Sequence, residues 1–363
     1  MIPLRFRAEL PPIEEPLVVR LRDRRAGDFH DDREAALIGV AEGWREYDFN
    51  GFSLRIEAGP DESLDGDVVM AFPGRSIIHR LIRSHSAHNT FLVTERCDQL
   101  CVMCSQPPKQ GHLDLFPQFE QAALLAPMDA TLGISGGEPL LFKEQLFGLI
   151  DTVSRVRADL RFHVLTNAQH FDSDDESWLR GSARERVLWG IPLYAPDAAD
   201  HDAIVAKEGA FTRLFGSLAT LARAGAMIEL RTVVTQRNAA LLPRLAQLIA
   251  TDLPFCASWA LMQLEPIGYG RMNWDVLFHD SSTDFEPIAR AMNIALALDI
   301  DIALYNFPLC TVPEEYRHCA PRTISDWKQK YLETCHQCSL KPSCGGFFEW
   351  YDPSRGFARV GLT

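Results

Sequence analysis

An α/β fold with a parallel sheet is what this sequence predicts, and three observations carry the prediction. From His88 onward, apolar strand-like runs alternate with helix-like ones, which is the signature of repeated βα units. Six such runs follow one another, enough for either a doubly wound sheet or a barrel. The 363 residues, 47% hydrophobic and 23% charged, supply material for a sizeable core.

Residues 1–85 read as a small β-rich cap, with strands over Pro16–Leu21, Phe52–Ala58 and Asp67–Phe72 between charged and Gly/Pro-containing turns. Residues 86–305 hold the α/β region. Its strands are expected at Asn89–Thr94, Thr131–Ser135, Phe162–Thr166, Val187–Leu193, Glu229–Thr235 and Ser258–Leu264. The clearest helix carries Phe211, Leu214, Phe215, Leu218, Leu221 and Ala222 on one stripe. The run Ile302–Tyr305 ends the region, and residues 306–363 form a cysteine-rich, Pro- and Gly-punctuated extension. The chain shows no internal repeat and no low-complexity tract.

Composition narrows the function. The formal net charge is -13, and the Arg-rich stretch Arg20–Arg25 is answered by acidic residues over Asp28–Glu34, so there is no electrostatic footprint for nucleic acid. No run is long enough to span a bilayer, and Met1-Ile2-Pro3-Leu4-Arg5 lacks the apolar core of a signal peptide. A cytoplasmic location is expected. Nine cysteines, mostly at metal-type spacings, suit thiolate ligands in a reducing compartment better than disulfides.

Cys97, Cys101 and Cys104 stand as Cys-X3-Cys-X2-Cys directly after the first α/β strand. Thiolates select zinc, copper(I) or iron–sulfur centres. Iron–sulfur clusters take four cysteines, so three imply a further ligand or one iron left open. At the end of the next strand stands Ser135-Gly136-Gly137-Glu138-Pro139. Taken singly, the first motif could be half a zinc site and the second an ordinary strand-to-helix turn.

A second group, Cys335-X2-Cys338-X5-Cys344, needs a fourth ligand from Cys310 or Cys319. Four thiolates would make a closed centre, of zinc or of iron and sulfur. Cys256, on the apolar run Leu253–Trp259, reads as a core cysteine.

The cysteine loop, with Met103 before its last cysteine, and the downstream Gly-Gly-Glu-Pro together resemble the radical S-adenosylmethionine (SAM) enzymes. The resemblance implies a partial (β/α)6 barrel, open on one side. It implies a [4Fe-4S] cluster on Cys97, Cys101 and Cys104, whose open iron chelates SAM. It further implies a backbone site at Gly136 to Glu138 that receives the methionyl amino group, with Ser135 among the cofactor-binding residues, that Met103 meets the adenine, and that Thr166, Asn167 and Arg231 lie where SAM contacts are common. Ala168 departs from the family's Thr-Asn-Gly. His201-Asp202 with Gly209, and Asn238, match family positions that serve equally well as caps. The extension resembles auxiliary [4Fe-4S] domains of the SPASM and twitch type, which places the metal ligands at Cys310, Cys335, Cys338 and Cys344.

Thr94-Glu95-Arg96-Cys97, Cys104-Ser105-Gln106-Pro107-Pro108, Phe307-Pro308-Leu309-Cys310, Ile324-Ser325-Asp326-Trp327-Lys328 and the Cys-Gly-Gly-Phe-Phe end are similar to the radical SAM maturases of the His-Xaa-Ser system. What this implies is an enzyme that cleaves SAM reductively to a 5'-deoxyadenosyl radical and oxidatively cross-links a ribosomally made precursor peptide, a His-Xaa-Ser repeat peptide being the candidate. Its partners would be that peptide, an electron donor of flavodoxin or ferredoxin type, and a partner maturase. The winged-helix pattern of a leader-binding module is not legible in residues 1–85. No residue is singled out as a catalytic acid or base. Two alternatives stand: a radical SAM enzyme acting on a small molecule, and a non-catalytic zinc-binding scaffold.

Overall fold

The computed structural model describes residues 2–23, 32–59, 62–181 and 184–361. Strands β1 (Arg5–Glu9), β2 (Leu17–Arg22), β3 (Glu34–Ala41), β4 (Trp44–Phe49), β5 (Phe52–Glu57), β6 (Val68–Ala71) and β7 (Ile77–Ile82) close into a small barrel in the order β1-β5-β4-β3-β2-β6-β7. Phe6, Leu21, Tyr47, Leu54, Ile56 and Ile78 fill its interior. Period-two alternation then sends Val18 of β2, and Val68 and Met70 of β6, outward into the core of the α/β region. That double burial explains why β6 is apolar at every position.

The three N-terminal strands expected from sequence coincide with β2, β5 and β6 to within a residue or so. β1, β3, β4 and β7 were not expected. Runs such as Arg5-Phe6-Arg7-Ala8-Glu9 and Trp44-Arg45-Glu46-Tyr47-Asp48-Phe49 are too polar to stand out. Of the paired charged stretches, residues 24–31 lie outside the described residues; Arg20 and Arg22 both ion-pair with Glu34.

Seven parallel strands follow: β8 (Asn89–Thr94), β9 (Thr131–Gly136), β10 (Arg161–Leu165), β11 (Val187–Pro192), β12 (Met227–Val234), β13 (Ser258–Gln263) and β14 (Ile302–Tyr305). All six expected strands are present, and Ile302–Tyr305 adds a seventh by pairing with β13. Spatial order follows chain order throughout. A doubly wound sheet reverses its order at a switch point; this one does not, and it fits a partial barrel with β8 and β14 as its two edges.

The longer helices are α1 (Phe116–Leu124), α2 (Lys143–Val156), then the short α3 (Glu176–Leu179), α4 (Ala198–Val205), α5 (Ala210–Ala224), α6 (Leu242–Asp252), the short α7 (Gly268–Met272) and α8 (Trp274–Leu277), and α9 (Glu286–Ala297). The stripe expected at Phe211–Ala222 is α5, whose Leu214, Leu218 and Leu221 are buried with Ile228 and Leu230 of β12. Gly225, at φ 69°, terminates it in the left-handed conformation that suits glycine. No described helix is long and apolar enough to cross a membrane.

Beyond β14 the chain forms short 3-10 turns and one small hairpin, β15 (Gln329–Lys330) with β16 (Phe347–Phe348). Such a segment cannot bury a core alone. It is tied down instead by Arg83 and Ser86 on Asp326 (2.5 and 3.3 Å), by Lys328 on Glu265 (3.1 Å) and by Trp274 Nε1 donating to the Arg355 carbonyl (2.7 Å). Met103, Trp274, Phe278, Phe347, Tyr351 and Phe357 form one apolar cluster between the barrel and this extension.

Candidate functional site

The loop after β8 carries Cys97, Cys101 and Cys104, all half-buried with free thiols. It is held on two sides. Leu100 N–H and Val102 N–H donate to the carbonyls of Val205 and Ile204 at the end of α4 (3.2 and 3.0 Å). Asn273 Nδ2 donates to the Val102 carbonyl (2.8 Å), and Tyr269 N–H to the Cys104 carbonyl (2.8 Å). Gly268 is required at that seam: its φ is +58°, and a Cβ there would lie 2.5 Å from the Cys104 carbonyl oxygen.

The Gly-Gly-Glu-Pro motif closes over the same loop. Gly137 N–H donates to the Thr94 carbonyl (2.8 Å) and Glu138 N–H to the Arg96 carbonyl (2.7 Å). A Cβ on Gly137 would stand 2.1 Å from the Arg96 carbonyl oxygen and 3.0 Å from Cys97 Cβ. The motifs after β8 and β9 are thus one packed surface.

Glu138 is fully buried. Its carboxylate accepts from Leu140 N–H (2.7 Å), Thr166 Oγ1 (2.6 Å) and Asn167 N–H (2.6 Å), joining the end of β9 to the end of β10. Burial pushes its pKa up to about 7, against three donors that favour the anion. The Thr166–Asn167 turn continues into Ala168, which adopts φ 54°. Ala168 thus occupies the left-handed region that favours glycine, and its N–H donates to Thr166 Oγ1 (3.0 Å). Ser135 lies half-buried on β9 beside Leu92 of β8.

Asn167 Nδ2 donates to Asp98 Oδ1 (2.7 Å) and lies 3.9 Å from Cys97 Sγ. Asp98 also pairs with Lys207 and with His170 Nε2 (3.2 Å). Burial opposes the charge, but nearby His170 and the donors of Lys207 and Asn167 hold its carboxyl well below the usual range. Sequence reading missed Asp98, His170, Lys207 and the Gly268–Gly270 turn. Only adjacence to Cys97 marked Asp98; its partners come from distant loops.

Burial raises the first-group thiols, Cys97 to about 11 and Cys101 to about 12, with neighbouring thiols and, for Cys97, Glu138 adding to the rise. Thiols so disposed need a cation to ionise. That donor set fits a thiolate-bound metal group. Among the described residues, no three His, Cys, Asp or Glu side chains meet at a single-ion position.

The second group comes together at a small cavity of about 20 Å³ lined by Cys310, Cys335, Cys338 and Cys344, with Leu309, Tyr331 and Phe347 around them. Cys319 is not in that lining; it packs against the α/β core. Burial raises Cys310, and the charges of Cys344 and Cys335 add to this, which again fits a cationic group in the cavity. Cys256 packs against the α/β core and burial alone pushes it up to about 12, which agrees with a core cysteine.

Other sequence candidates divide. Met103 is buried in the apolar cluster with Trp274 and Phe278. Arg231 ion-pairs with Glu229 and lies over the Tyr305 ring (5.7 Å) on the concave face. Glu229 also accepts from Tyr305 OH (3.0 Å), and His163 Nε2 lies 3.3 Å away, close enough for an ion pair but off-line for a hydrogen bond. Asp202 caps Gly209 and Phe211 (2.6 and 2.8 Å), and Asn238 is spent on Thr235, Tyr194 and Val233. His201 is a buried neutral core histidine, lowered to about 4 by burial.

No protein-family model and no curated protein matches the chain. Among solved structures, Streptococcus suis SuiB bound to S-adenosylmethionine superposes with a TM-score of 0.50 at 13% identity, over 62% of this chain and 52% of that one. SuiB bound to precursor peptide SuiA gives 0.47 at 12% identity, over 59% and 48%. A radical SAM methyltransferase from Sphaerobacter thermophilus gives 0.44 at 15% identity, over 74% of each chain. The chain spans about half the length of SuiB. At these identities the likeness is one of fold alone.

Proposed function

We propose that the chain is a radical SAM enzyme that oxidatively modifies a ribosomally made precursor peptide. The observation that carries this reading is the contact of Gly137 with the cysteine loop: the two motifs that the chemistry needs are packed into one surface at adjacent strand ends. The fold likeness to SAM-bound SuiB supports the same reading.

Cys97, Cys101 and Cys104 would hold a [4Fe-4S] cluster with one open iron. The chemistry supplied there, when the group is bound, is one-electron cleavage of SAM and removal of a hydrogen atom from an unactivated C–H bond. The chain's own part is positional. Glu138 fixes the β9 and β10 ends relative to each other, Asp98 fixes the loop through Lys207 and Asn167, and Gly136 and Gly137 let the motif pack directly on the backbone of Thr94 and Arg96. Arg231, held on the concave face by Glu229, presents its charge toward the barrel interior.

The four-cysteine cavity would hold an auxiliary [4Fe-4S] cluster, on Cys310 and not Cys319. A closed second centre suits removal of another electron from the substrate, and so a cross-link or desaturation. The peptide with His-Xaa-Ser repeats remains the substrate indicated by the sequence resemblance, with an electron donor of flavodoxin or ferredoxin type. Residues 1–85, 86–305 and 306–363 serve as cap, catalytic barrel and auxiliary-cluster extension in this reading.

The test is iron, sulfide and zinc content after anaerobic reconstitution, with 5'-deoxyadenosine assayed under dithionite. Two iron–sulfur clusters with deoxyadenosine support the proposal. Zinc alone without deoxyadenosine sinks it in favour of a scaffold. Cys101→Ala is expected to abolish deoxyadenosine formation, whereas Cys338→Ala retains some of it but yields no peptide product; equal loss in both would assign the second centre to folding.

A further inference from the structure

We propose that Cys344 is the ligand through which the chain raises the reduction potential of its C-terminal centre, tuned by the backbone N–H groups of Leu309 and Gly346. This rests on the reading of that cavity as an iron–sulfur site. Cys344 is buried, whereas Cys310, Cys335 and Cys338 are only half-buried. Leu309 N–H and Gly346 N–H both donate to its Sγ, each at 3.3 Å. The backbone of Gly361 reaches Cys310, but two donors on one sulfur distinguish Cys344.

The donors are fixed from several sides. Gly346 has φ +70°, and a Cβ there would lie 2.7 Å from the Lys330 carbonyl oxygen, so the β15–β16 hairpin sets where its N–H points. Tyr331 OH donates to the Cys344 carbonyl (2.8 Å) and Gln329 Nε2 to the Gly345 carbonyl (2.5 Å). Leu309 precedes the ligand Cys310 and is buried. One-electron reduction of a bound cluster adds negative charge to its sulfurs. Two N–H dipoles aimed at one thiolate stabilise that charge, so they raise the potential, and they act with most effect in a buried, water-poor place. Leu309 and Gly346 are thus positioning residues that act through Cys344.

The test uses full-length protein in which Cys97, Cys101 and Cys104 are alanine, so that only the C-terminal centre reports. Leu309→Ala removes the side chain and keeps the N–H; Leu309→Pro removes both. Leu309 opens a 3-10 turn after Pro308, a position that accepts proline. In dithionite titrations followed by electron paramagnetic resonance, the Leu309→Ala midpoint is expected near that of the parent and the Leu309→Pro midpoint clearly more negative. Equal midpoints for the two variants would overturn the proposal. A second readout needs no Leu309 variant: pulsed resonance of the reduced centre is expected to show strongly coupled, slowly exchanging amide protons that deuterium replaces, and their absence would also overturn it. Zinc in place of iron removes the underlying reading, which the metal content distinguishes from a failure of tuning.

Discussion

At the residue scale, the decisive side chains are buried acids whose partners lie within the protein. The sequence resemblance assigns only the backbone of Glu138 to a ligand, and its carboxylate serves three donors inside the protein. Glu138→Gln keeps the shape and turns an amide donor toward at least one donor, leaving a buried group unpaired. Chemical denaturation is expected to show a loss of about 1–3 kcal/mol; an unchanged midpoint would mean that the turn does not depend on this acid. Glu229 behaves differently. Burial opposes its charge, but His163 and Arg231 overcome this and lower its pKa from 4.5 to about 2. A depressed acid contributes stability above its unfolded value and loses it as pH falls through the folded one. The window is therefore from about pH 4.5 down to 2, with about 3 kcal/mol at stake. Glu229→Gln is expected to flatten the acid limb of the stability profile in that window, measured by thermal melts at stepped pH.

At the element scale, the site is made where parallel strands end. β8 supplies the cysteine loop, β9 the diglycine and β10 the Thr-Asn turn; they are neighbours because the sheet follows chain order. The diglycine is the tightest point. Gly137→Ala would put a methyl group within 2.1 Å of a backbone oxygen, which neither strand can yield cheaply. The expected result is reconstitution with less iron at the first centre and a melting temperature lowered by several degrees, as a core overpacking of about 1–3 kcal/mol gives. Retention of full iron loading would mean that the contact is not needed to shape the loop.

At the scale of the whole molecule, the extension past β14 is stable only as part of the assembly. The ion pair of Arg83 with Asp326 links the segment before β8, the first barrel edge, to the chain after β14, the last. Asp326→Ala leaves a nearly buried guanidinium without its acid. Limited proteolysis is expected to cut the extension sooner in this variant, with loss of the second centre before the first. Cleavage at the parental rate would place the anchoring elsewhere, in the aromatic cluster around Trp274 and Phe357.

Local chemistry by itself determined the strand ends and the clustered thiols: apolar runs, cysteine spacing and a diglycine are contiguous in the chain. It also determined the α/β class, because alternation of period two and 3.6 is a local property. Tertiary structure decided the rest. Barrel rather than doubly wound sheet is a matter of strand order, which periodicity does not encode. β1 and β4 were illegible because polar and charged side chains alternate with the apolar ones and dilute the signal. The choice of Cys310 over Cys319 for the cavity, and the partners of Asp98, depend on loops that meet only after folding. The buried acid Glu138 finds its donors and the thioether of Met103 its apolar neighbours only because the fold brings distant segments within reach.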